Sequence, residues 1–149
     1  MGYAYALRTA GATIIEYKET GSYQGTWGAV VDFNGQRSLV TGYYGSCSHC
    51  DAYQSQFERY SNDEPVFDEE TGKYYSNWYK EQEITKEAYD ADQEDQKQAL
   101  IDFGMSYLRH PMTKEDVEKR IEYYDTNDTG EWSFDSEERE LYDWAIKLF

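Results

Sequence analysis

Cys47 and Cys50 stand two residues apart in Gly45-Ser46-Cys47-Ser48-His49-Cys50-Asp51, a spacing open to thiol redox chemistry, metal binding or plain structural use. The thiolate is both the nucleophile and the metal ligand, and amides at a helix N-terminus favour it. Asp51 reads as the N-cap of a helix carrying Ala52, Tyr53, Gln56 and Phe57, which puts both thiols where a strand becomes a helix. A redox pair of this spacing normally follows a strand of a βαβ unit, whereas the strand before Cys47 belongs to a hairpin. A closed zinc site takes four ligands, and the chain adds only His49 and His110 to the pair. A bridge between the two thiols would close a tiny loop and add little stability. Structural thiols are therefore weighed level with redox and zinc together.

A second constellation lies further on, in Asp125-Thr126-Asn127-Asp128-Thr129-Gly130-Glu131-Trp132-Ser133-Phe134-Asp135-Ser136-Glu137. It resembles a degenerate EF-hand loop. Asp125, Asn127 and Thr129 fall at the first, third and fifth positions, Gly130 supplies the turn at the sixth, and Glu131 would give its carbonyl. Ser136 occupies the twelfth position, where a bidentate glutamate closes the shell, and Glu137 lies one residue late. The resemblance implies a candidate calcium site made by Asp125, Asn127, Thr129, Glu131 and Glu137. A capped turn between two helices is the favoured reading of the same residues.

Hydrolytic chemistry has less support. Thirty carboxylates make chance acid pairs inevitable, neither histidine has an evident nucleophile, and no glycine-rich phosphate loop follows a strand. A non-enzymatic class is favoured.

Charge is the strongest compositional signal. The 149 residues carry 30 acids against 14 bases, a net of −16. From Met1 to Tyr60 there are five acids and four bases, so nearly all of the excess lies beyond Ser61. Such a field disfavours direct nucleic-acid binding and points to a basic protein surface or to cations. Aromatic residues make up 17% of the chain, 16 of them tyrosines, which is not the composition of a disordered protein. No leader-like segment or spanning run is visible, so a cytoplasmic protein without a membrane partner is expected.

The elements that must position these residues follow from patterning. Met1 to Ala12 reads as an irregular or strand-like lead-in, and Thr13 to Lys18 as a strand. Thr26–Phe33 and Gln36–Tyr44 form a hairpin about Asn34-Gly35, the strongest local turn signal in the chain. Ser61 to Gly72 is an acidic connection with a small hairpin around Val66-Phe67 and Tyr74-Tyr75. A long helix starts at Thr85 and ends near His110-Pro111. Thr113-x-x-Asp116 opens the next helix, with Val117, Ile121 and Tyr124 on one face. Asp135 or Ser136 caps the last, with Leu141, Trp144, Ala145 and Leu148 as its stripe. The fold class is α+β: a small antiparallel sheet with a following helix, then an acidic, mostly helical C-terminal half. The divisions are 1–60, a sheet with the Cys-x-x-Cys loop; 61–84, an acidic connection; and 85–149, a helical part, all packed as one domain.

Tyr23-Gln24-Gly25, the hairpin and Gly45-Ser46-Cys47-Ser48-His49-Cys50-Asp51 resemble a pattern in small phage and bacterial proteins of no established activity. The resemblance covers Thr13 to Phe57 and implies a phage or bacterial origin, hence the cytoplasm of a bacterial host cell. Spaced carboxylates at Glu87, Asp90, Asp92, Glu94, Asp95 and Asp102 can imitate phosphates before a basic partner. The favoured function is an acidic binding protein that inhibits a host nucleic-acid-binding or defence protein by DNA mimicry. The alternatives are a thiol-redox or metal-stabilised module, with zinc or calcium as candidate ions, and a phage structural or accessory protein.

Overall fold

Asn34 and Gly35 both adopt positive φ, 51° and 76°, the backbone that a two-residue hairpin turn requires and that most side chains resist. In the computed structural model, which describes residues 2–46, 51–58, 64–126 and 133–149, this turn joins β2 (Gly25–Phe33) to β3 (Gln36–Tyr44). Residue pairing runs without a slip from Phe33↔Gln36 to Gly25↔Tyr44. On its other side β2 pairs antiparallel with β1 (Thr13–Glu19), where a bulge lies between Ile14 and Glu16. The strand order is β1-β2-β3.

Alternation along β2 then sorts the core into two halves. Trp27, Ala29 and Val31, with Val40 of β3, meet Tyr3, Leu7, Ala12 and Leu108 on one face. Val30 and Leu39 meet Val117, Tyr142 and Ala145 on the other. The central strand is thus buried from Gly25 to Val31, unlike a sheet with one wet face. Each fully buried Val, Leu or aromatic side chain here contributes roughly 1.5–3 kcal/mol. Trp27 is fully buried, stacks on Tyr3 at 4.9 Å, and lies where a Cβ on the opposing Gly42 would come within 2.7 Å of its ring. Only glycine fits there.

The helices that close the two faces come from distant parts of the chain. The first face is covered by α1 (Gly2–Thr9) and α2 (Lys86–Leu108), which pack on each other through Gly104: a Cβ there would meet the Ala6 carbonyl at 2.3 Å. The lead-in expected to be irregular or strand-like is therefore a helix. Tyr3, Ala6, Leu7 and Ala10 do fall at helical spacing, but small residues blunt the contrast that reveals it. The second face is covered by α3 (Lys114–Thr126) and α4 (Ser133–Ala145), followed by a 3₁₀ turn at Ile146–Leu148. α3 opens on a reciprocal capping box: the Thr113 amide donates to Asp116 Oδ2 at 3.0 Å, and the Asp116 amide to Thr113 Oγ1 at 3.2 Å. The Thr113 amide above all, and then the Thr113 hydroxyl donating to the same carboxylate oxygen at 3.0 Å, hold the Asp116 carboxyl below its ordinary pKa. α4 begins at Ser133, earlier than the Asp135 or Ser136 cap expected from sequence. Between α2 and α3, Met112 exchanges two backbone bonds of 2.8 Å with Leu39 of β3.

A second antiparallel sheet, β4 (Val66–Asp68), β5 (Lys73–Tyr75) and β6 (Glu83–Ile84), precedes α2. Its first two strands are the small hairpin that the sequence indicates, and β6 extends it. The whole is α+β with a helical C-terminal half. No helix among the described residues is long and apolar enough to cross a membrane.

Candidate functional site

The small sheet and the first half of α2 together form an arm whose residues are held by local bonds instead of a core. From Lys86 to Gln98 only Tyr89 and Asp92 are even half-buried. Such a helix must be stabilised along its own length. Thr85 caps it, accepting from the Ala88 amide at 3.1 Å, and Glu87 lies in the first turn, where its charge complements the helix dipole. Lys86–Asp90 at 3.5 Å, Gln96–Asp92 at 2.7 Å and Gln98–Asp102 at 3.0 Å follow at i,i+4 spacing. At about 100° per residue, Glu87, Glu94, Asp95 and Asp102 share the side away from Leu100 and Tyr107, while Asp90 and Asp92 fall on the two flanks, Asp92 on that of Tyr89. Four of the six candidate carboxylates thus make one exposed row.

The small sheet is fixed to this helix by rings. Phe67 of β4 lies 4.9 Å from Tyr74 of β5, and Tyr74 lies 4.8 Å from Tyr89 of α2. Beyond β5 the chain reverses in a turn over Asn77-Trp78-Tyr79-Lys80, closed by the Lys80 amide donating to the Asn77 carbonyl at 2.9 Å. Four further contacts staple it. The Ser76 amide donates to the Gln82 carbonyl at 2.7 Å, Asn77 Nδ2 to Glu81 Oε2 at 3.1 Å and Lys80 Nζ to Asp68 Oδ2 at 2.6 Å, and the Lys80 ammonium lies 5.8 Å from the centre of the Tyr75 ring. Lys80, above all through its hydrogen bond, holds the Asp68 carboxyl below its ordinary range, and Asp68 in turn raises Lys80. The two central positions of this turn carry Trp78 and Tyr79, 68% and 66% exposed. Phe67, at 45%, adds a third exposed ring on the same small sheet. Sequence patterning did not single out these aromatics. The available signal was a Trp-Tyr pair placed between turn-forming Ser76-Asn77 and a charged strand.

The other candidates fall elsewhere. Cys47 and Cys50 lie outside the described residues, but their frame is visible. Asp51, 2% exposed, accepts from the Tyr3 hydroxyl at 2.9 Å, the Gly45 amide at 3.0 Å and the Gln54 amide at 3.0 Å. Its backbone carbonyl takes the Ser55 amide, so Asp51 is the N-cap of the turn that continues through Gln54–Glu58. Tyr53 and Phe57 of that turn pack on Phe103.

In the Asp125 loop, Asn127, Thr129 and Glu131 lie outside the described residues. Asp125 gives its carboxylate to Arg139, which also approaches Asp143 at 3.6 Å. A cation at this loop would compete with that guanidinium. One carboxylate oxygen of Glu137 is buried without a hydrogen-bond partner. Its charge acts on Tyr44, whose pKa is raised chiefly by burial, then by Glu19 and Glu137. Glu138 accepts the hydroxyls of Tyr43 at 2.8 Å and Tyr124 at 2.7 Å, tying β3, α3 and α4 together. Among the described residues no group of three His, Cys, Asp or Glu side chains is arranged to hold a metal ion.

No family model, no curated protein and no solved structure matches the chain.

Proposed function

We propose that this protein is a non-enzymatic binding module whose acidic arm occupies the nucleic-acid site of a basic protein. The observation that carries the reading is the first half of α2. Thirteen residues from Lys86 to Gln98 stay helical without contributing a buried side chain, and they carry the start of a one-sided row of carboxylates. A helix with no packing duty on that side is free to present it. From Glu87 to Asp102 the row spans about 22 Å at about 1.5 Å per residue, two-thirds of a duplex turn. Between Glu64 and Leu108 the chain has twelve carboxylates against four lysines, so the local field steers basic surfaces and repels phosphates.

The test uses the whole chain, immobilised, with a bacterial extract passed over it. Proteins held through the acidic row are released by duplex DNA and by moderate salt, and they are not held by a Glu87→Gln, Glu94→Gln, Asp95→Asn, Asp102→Asn variant. If that variant holds the same proteins with the same salt midpoint, the reading is wrong.

A further inference from the structure

We infer that the Asn77–Lys80 turn is the anchor of the arm, with Trp78 and Tyr79 stacking on arginine side chains of the basic partner. This inference rests on the acidic-arm reading and narrows it to arginine over lysine. A tryptophan at a solvent-exposed turn tip adds little to folding, since 68% of it stays wet. Its surroundings are nonetheless fixed: the turn is closed by the Lys80 amide on Asn77, tied to Glu81 and Gln82, and clamped from beneath by Lys80 on Asp68. A stapled aromatic loses little freedom on binding, which is the property of an interface anchor.

Charge selects the occupant. The exposed carboxylates of Glu69, Glu70, Glu81 and Glu83 belong to the same small sheet and its turns, so anionic lipid and nucleic acid are repelled from the rings. A guanidinium meets both halves of the surface at once, because its flat face stacks on an aromatic ring while its edge pairs with a carboxylate in two parallel bonds. An ammonium has no such face. Among the described residues of the small sheet, Lys80 is engaged by Asp68 and Lys73 by Glu83, so Glu69, Glu70 and Glu81 are left without a lysine partner.

The probes are dye-labelled deca-arginine and deca-lysine, titrated into the full chain at low salt and read by anisotropy. The intact protein should bind deca-arginine at least about tenfold more tightly than deca-lysine, a gap of about 1.4 kcal/mol. Trp78→Ala should remove the gap while leaving deca-lysine binding unchanged, and Trp78→Phe should restore part of it. An unchanged melting temperature in both variants separates loss of the ring from loss of the arm. Equal affinity for the two peptides, or a gap that survives Trp78→Ala, overturns the anchor. The acidic-arm reading then stands only where the four-carboxylate variant weakens both peptides. If neither peptide binds, both readings are overturned.

Discussion

The protein builds a three-stranded antiparallel sheet twice, and the two copies are stabilised in opposite ways. β1–β3 is buried on both faces of its central strand, lies in a nearly neutral part of the sequence, and is covered by four helices. β4–β6 has no fully buried side chain and is held by a ring ladder to Tyr89 and by ion pairs to Lys73 and Lys80. Stability is concentrated where the chain is neutral, and exposed chemistry where it is acidic. Charge needs water, so a surface reserved for a charged partner has to be kept outside the core.

The sharpest way to break this contrast is at Trp27. Trp27→Ala should cost about 3–5 kcal/mol in denaturant unfolding, because it empties a space shared with Tyr3, Tyr17 and Tyr107. Next, Asp51→Ala should cost roughly 2–4 kcal/mol, since it strands the Tyr3 hydroxyl and two amides in a buried place.

A third effect is set by pH. Burial is the main cause raising Tyr3 and Tyr17 well above the ordinary value of 10.0, and it raises Tyr107 as well. The unfolded chain therefore releases these protons first, and the native state is favoured only while they stay on. Stability is fully present below pH 10 and should fall above it, by about 1.4 kcal/mol per pH unit for Tyr3 alone. Tyrosinate absorbance from these rings should appear together with loss of near-ultraviolet circular dichroism. Ionisation with the tertiary signal intact would show that the core is wetter than the structure has it.

The arm should register least. Lys80→Met unfastens the turn, yet should leave the global unfolding midpoint nearly unchanged. Its consequence should be local: faster hydrogen exchange over residues 73–84, with β2 and β3 amides unchanged. Matching protection in both sheets would erase the distinction.

How much of this could be read beforehand depends on whether the signal is local. Asn34-Gly35, the Thr113–Asp116 box and the Val117, Ile121, Tyr124 spacing carry their own geometry, and all appear in the structure. The helix at Gly2–Thr9 depends on Gly104, a hundred residues away, making room for Ala6. A two-residue strand such as Glu83–Ile84 has no period to detect. The start of α4 was ambiguous because Ser133, Asp135 and Ser136 are all cap-forming types within four positions. In the arm, helical spacing placed four carboxylates together, whereas the exposure of Trp78 and Tyr79 depends on a turn that only the assembled sheet defines.

The Leu39–Met112 exchange has one more consequence. Two backbone bonds of 2.8 Å block the middle of the β3 edge with the segment between α2 and α3. On the other edge, the bulge at Ile14 and Glu16 disturbs the register of β1. A growing fibril or a swapped neighbour needs several consecutive free amides in register, and the bridge and the bulge each interrupt such a run. A chain so rich in β-branched and tyrosine residues thus carries its own guard against edge-to-edge growth, independent of the mutual repulsion of its charge.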